Sequence, residues 1–100
     1  MKYPIEYHPH VENDLKDAID YYDLQREGLG DEFLLAVEAT INYIQRQPLH
    51  FQKLNRNTRK ANIHRFPFAV YYVFIQDKLL ISSIIHAKRS PSVWKKRKFK

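Results

Sequence analysis

The chain has 100 residues, enough for one domain with a single modest core. It contains no cysteine, which excludes a disulfide scaffold, thiolate chemistry and the common zinc-finger patterns. Its formal net charge of +6 is unevenly held: residues 1–50 carry 4 Lys/Arg against 10 Asp/Glu, and residues 51–100 carry 13 against 1. Such a basic half points to a polyanion or an acidic protein as partner, although acidic helices lying on a basic sheet account for part of the split. No apolar run approaches the ~20 residues of a membrane span, so no membrane association is expected. The opening "MKYPIEYHPHVEND" contains no apolar signal core, and the cytoplasm is the expected compartment.

The first element is a short strand at Tyr3–His8, which Pro4 confines to an edge or a strand start and Pro9 ends. A helix is predicted from His10, where Val11, Leu15, Ala18, Ile19 and Tyr22 form one apolar stripe and Glu12, Asp14, Asp17, Asp20 and Asp23 take the solvated surface. "REGLGDEF" ends it at Gly28, with the next cap near Gly30 or Asp31. A second helix carries Phe33, Val37, Ile41 and Ile44 at helical spacing and closes at Pro48, making an antiparallel helical hairpin.

Past Pro48 the apolar period falls to two. Strands are predicted at 59–66, 68–76 and 79–87, the last two joined by a tight turn at Gln76-Asp77-Lys78. "SPSVWKKR" reads as a short terminal helix or turn. The fold class is α+β, in the order β-α-α-β-β-β: a helical hairpin on one face of a small antiparallel sheet, in a single domain over 1–100. Nothing in the sequence remains to cover the other face.

Alternation sorts the last strand into a helix-packed set, Leu79, Ile81, Ser83, Ile85 and Ala87, and an opposite set, Leu80, Ser82, Ile84, His86 and Lys88. Ala61, Ile63 and Arg65 share one face of the strand before Pro67; Lys60, Asn62, His64 and Phe66 share the other. With the strands in sequential order, His64 and His86 border one shallow groove rimmed by Lys60, Lys88 and Arg89. Two histidines among guanidinium and ammonium groups suit phosphodiester cleavage, which needs a base, a proton donor and cations for the phosphate. The competing reading is that each strand histidine is a hydrogen-bonded packing residue. No histidine pair has metal-binding helical spacing, no glycine-rich phosphate loop is present, and no metal or cofactor is expected. Tyr71 and Tyr72 fall on opposite faces of the middle strand, one in the core and the other exposed or half-buried. Trp94 either packs on the sheet edge or joins Arg89 and Arg97 in a contact patch, the residue types that dominate interface energetics.

These residues carry a family resemblance. "DLKDAIDYYDLQREGLGDEF", Pro48, "RKANIHRFPFAVYYVF" and "IIHAKRSPSVWKKR", taken in order, resemble the RelE/ParE toxin superfamily and its ParE-like branch in particular. The resemblance implies the same β-α-α-β-β-β order and the toxin half of a type II toxin–antitoxin pair, active in growth inhibition and plasmid stabilisation and wrapped by a cognate acidic antitoxin. ParE-like members poison DNA gyrase; RelE-like members cleave messenger RNA in the ribosome. A gyrase inhibitor would bind through Arg59, Lys60, His64, Lys88, Arg89, Trp94 and Arg97. A ribosome-dependent nuclease would use His86, Arg89 and Arg65 as catalytic residues; the terminal tyrosine of that branch is missing here, since no tyrosine follows Tyr72. A non-toxic nucleic-acid-binding module is the third reading.

Overall fold

The computed structural model describes residues 2–88. Its elements are β1 (Ile5–Tyr7), α1 (Val11–Gln25), α2 (Leu29–Arg46), β2 (Gln52–Lys53), β3 (Thr58–Asn62), β4 (Phe68–Ile75) and β5 (Lys78–His86). The strands form one sheet in the order β1-β5-β4-β3-β2. β2 to β5 pair antiparallel in chain order, whereas β1 lies parallel to β5, so the sheet is mixed. The leading strand takes the edge as Pro4 requires: its carbonyl accepts the N–H of Leu79, and the N–H of His8 donates to the Ile81 carbonyl. The predicted terminal helix or turn lies outside the described residues.

Three junctions have local causes. Arg26, Glu27 and Gly28 join the helices, and Gly28 adopts φ +87°, a backbone conformation that costs a side chain dearly. Two residues on, Gly30 donates its N–H to Asp23 Oδ1 at 2.7 Å. A Cβ there would stand 2.7 Å from that oxygen and 2.8 Å from Ile19 Cγ2, so any other residue would have to displace one of these side chains. At the β4–β5 hairpin, Gln76 and Asp77 both have positive φ, the sign pattern of a type I′ turn that matches strand twist. β3 stops at Asn62 rather than reaching Phe66, because Arg65 turns to φ +73° and Pro67 has no N–H for a ladder.

That corner is held by aromatics. Phe66 and Phe68 pack onto Tyr22 of α1 and Phe33 of α2, with ring centroids 5.0–5.9 Å apart and mostly edge-on. Around this quartet the core gathers Val11, Ala18, Val37, Ile41 and Ile44 from the helices and Ala61, Val70, Tyr72, Leu79, Ile81 and Ile84 from the sheet. Tyr72 is fully buried, and its hydroxyl donates to the Pro48 carbonyl at 2.6 Å, tying the end of α2 to the middle strand. Burial pushes that hydroxyl's pKa up to about 12, with Arg59 pulling the other way.

The tyrosines do take opposite faces, but both are buried: Tyr71 is 2% exposed. It sits with Ala69 and Ile85 on the second face, and Leu54 and Ala87 pack against them. That face is therefore not bare, as the sequence implies. β2 lengthens the sheet beyond β3, and Leu54, directly after it, contributes to the cover.

Replacing Gly30 by Ala should cost about 1–3 kcal/mol through overpacking and displacement of Asp23. Gly28→Ala, with open space around its Cβ, should cost about 1 kcal/mol from backbone conformation alone, and Gly28→Asn less. Urea unfolding midpoints of the three variants check this order.

Candidate functional site

The position of His86 depends on a bulge. The β4–β5 register runs Tyr71↔Ser83 and then Tyr72↔Ile81, leaving Ser82 as an extra residue. Its hydroxyl donates to the Tyr71 carbonyl at 3.1 Å. Beyond the bulge the alternation inverts. Leu79 and Ile81 face the helices as predicted, but Ile84 joins them in the core while Ile85 turns to the second face. β1 pairs with β5 only as far as Ile81, and on past it the N–H of Ile84 donates to Asp14 Oδ2 of α1 at 3.1 Å.

His86 is carried along by this inversion. Its ring lies 5.6 Å from that of Phe68, and it lines a cleft of about 480 Å³ with Asp14, Asp17, Tyr21, Tyr22 and Gln25. Nδ1 of His86 accepts the N–H of Lys88 at 3.1 Å, and the Lys88 side chain is exposed. The cleft that this histidine lines is shared with two carboxylates and two tyrosines of α1.

The other expected site residues are dispersed. His64 lies beyond the end of β3, in a separate groove of about 660 Å³ along α2, with Leu35, Ala39, Tyr43, Phe51 and Arg65. The groove shared by His64 and His86 therefore does not form. Lys60 stands on the second face, its Nζ 6.0 Å from the centre of the Tyr71 ring and 3.5 Å from the Ala87 carbonyl. Arg59 points to the helix side and donates to the carbonyls of Leu49 and Phe51 at 3.3 and 2.9 Å, bracing the chain after α2. Arg65 donates to Glu32 Oε1 at 2.9 Å, while Arg26 binds Oε2 of the same carboxylate at 3.1 Å. Arg89, Trp94 and Arg97 lie outside the described residues.

Sequence reasoning missed Asp14, Asp17 and Glu32. It assigned both aspartates to the solvated surface, and Asp17 is indeed exposed, but Asp14 is half-buried and accepts the Ile84 N–H, and both line the cleft with His86. The Ser82-Ser83 pair in an otherwise apolar strand is the one available signal of that bulge. Glu32 had none.

The architecture of a helical hairpin on a mixed five-stranded sheet defines the class, a small α+β fold. A sequence model of the ParE toxin of the type II toxin–antitoxin system parDE matches residues 5–91, and the chain belongs to this family. Among solved structures it is similar to one described as the chromosomal ParDE TA system from P. aeruginosa, with a TM-score of 0.74 over 85% of this chain and 96% of that one. Their identity is 12%, so the likeness is one of fold. No curated protein matches the sequence. Among the described residues no helix is long and apolar enough to cross a membrane.

The two arginines hold the Glu32 carboxyl below its ordinary range, mainly through hydrogen bonds from Arg65 and then Arg26. A carboxyl depressed on folding stabilises the fold above its unfolded pKa, and the contribution is lost as pH falls through the folded value. Thermal melts from pH 6 to pH 3 should therefore show the wild type losing more stability below about pH 4.5 than Glu32→Gln does. Parallel loss in both proteins would remove Glu32 from the account.

Proposed function

We propose that this toxin acts as a protein-binding inhibitor of DNA gyrase, has no catalytic chemistry of its own, and is silenced by an acidic antitoxin. The observation that supports this reading is that, among the described residues, Arg65 is held on Glu32 and lines a different groove from the cleft of His86. Cleavage of a phosphodiester requires a base and cations converging on one phosphate. Here Arg59 is committed to backbone carbonyls, Arg65 to Glu32, and Lys60 to the opposite face of the sheet. His86 lines a cleft with Asp14 and Asp17 of α1, carboxylates that repel a phosphate. Membership of the ParE toxin family favours gyrase as the target.

Antitoxin binding is supported by the groove along α2. Leu35 is 66% exposed and Tyr43 38%, an apolar wall with His64 and the Arg65–Glu32 pair at its rim. An acidic amphipathic segment has the complementary character, and it would fold as it binds. With gyrase as target, the cytoplasm is the compartment of action.

The test is a supercoiling assay with purified gyrase, run beside a ribosome-dependent mRNA cleavage assay. The wild type should inhibit supercoiling, His86→Ala should retain most of that inhibition, and charge reversal at Arg89 and Arg97 should abolish it. Cleavage of mRNA by the wild type that disappears in His86→Ala would overturn the proposal in favour of a nuclease. The chain should also co-purify with a small acidic protein when expressed with its neighbouring gene.

A further inference from the structure

The cleft beside His86 has an electrostatic character opposite to that of the rest of the basic half, and neither gyrase inhibition nor antitoxin capture explains it. We propose that it is a receptor for a guanidinium group, the arginine side chain of a bound polypeptide.

Its size, about 480 Å³, falls within the ~300–1,000 Å³ of ordinary ligand sites. Its floor is apolar: Phe68, Pro67 and Ile84 from the sheet, and Tyr22 from α1. The floor is rigid because Tyr22 and Phe68 belong to the aromatic quartet. At the mouth Tyr21 is 55% exposed, and its ring is held edge-on against Tyr22 at 5.2 Å. An exposed ring in a fixed orientation is a stacking surface for a flat cation.

The polar end is Asp17. Asp14, one turn earlier, is engaged with the N–H of Ile84. Asp17 makes no hydrogen bond or salt bridge among the described residues, because Lys16, the cation next to it, is bonded to Asp20 at 2.8 Å. An open carboxylate over an aromatic floor, with the Gln25 amide lining the same cleft two turns further along α1, matches a guanidinium on a three-carbon stem. The stem covers apolar surface, the planar head stacks on a tyrosine, and the fork meets the carboxylate. An ammonium provides the charge without the stacking plane. An acidic segment would be repelled here, so the arginine belongs to a polypeptide other than the acidic antitoxin segment assigned to the α2 groove.

The experiment is a titration of the isotope-labelled full chain with the capped tripeptide Gly-Arg-Gly, followed by NMR. Tyr21, Gln25 and His86 should shift together, with a dissociation constant on the order of 1 mM, as expected for a single anchoring side chain. Asp17→Asn and Tyr21→Ser should each weaken binding about five-fold or more, and Leu35→Ser, in the other groove, should leave it unchanged. The same peptide with citrulline in place of arginine should not bind. Equal binding of the citrulline peptide, or no effect of Asp17→Asn, would overturn the proposal. Tighter binding of free agmatine than of the tripeptide would also overturn it, by making the occupant a small molecule rather than a polypeptide. None of these outcomes depends on gyrase, so the result stands apart from the proposed toxin target.

Discussion

The bulge at Ser82 is the constraint on which the arrangement of the site depends. A strand has a side-chain period of two, so one extra residue inverts every later position. Without the bulge, His86 would share the second face with Lys60 and the chain would present a histidine among cations. With it, Ile84 fills the core, His86 meets α1, and Ile85 joins Tyr71 on the far side. Two interactions hold the irregularity in place: the Ser82 hydroxyl on the Tyr71 carbonyl, and the Asp14 carboxylate on the Ile84 N–H. The second also docks α1 against β5, so the same bond sets strand register and helix position.

The charge split between the two halves of the chain has a structural component as well as a functional one. Acids of the first half meet cations of the second at Glu32–Arg65 and at Glu6–Lys78. Both pairs face solvent, and such pairs contribute little to stability. Their effect is positional: Glu32 gathers Arg26 and Arg65, fixing the helix–helix joint against the β3–β4 corner beside the aromatic quartet. An arginine held in this way is not available to a phosphate. Most of the excess positive charge is left to the residues after β5.

Local chemistry made the architecture legible in the sequence. The apolar stripes of α1 and α2, Gly28 at the joint, Pro48 as a stop and the change of period after it each act within a few residues, and the elements appear where they point. β2 escaped because two residues carry no period. The parallel docking of β1 escaped because pairing partners are set by tertiary packing rather than by propensity. The site was less legible for a related reason. Alternation correctly assigns Leu79 and Ile81 but fails at Ile84 and His86, since a bulge is a property of two strands together. Arg59 and Arg65 look like binding residues in a basic sequence, and only the folded chain brings the Phe51 carbonyl and the Glu32 carboxylate to them.

The proposal is that this toxin acts on gyrase rather than as a nuclease, His86 and Arg65 lining separate grooves among the described residues. Its most direct test is pulse labelling of bacteria immediately after induction of this chain alone, with thymidine and leucine incorporation followed in parallel. The account predicts that DNA synthesis falls first while protein synthesis persists. An earlier fall in protein synthesis would contradict it.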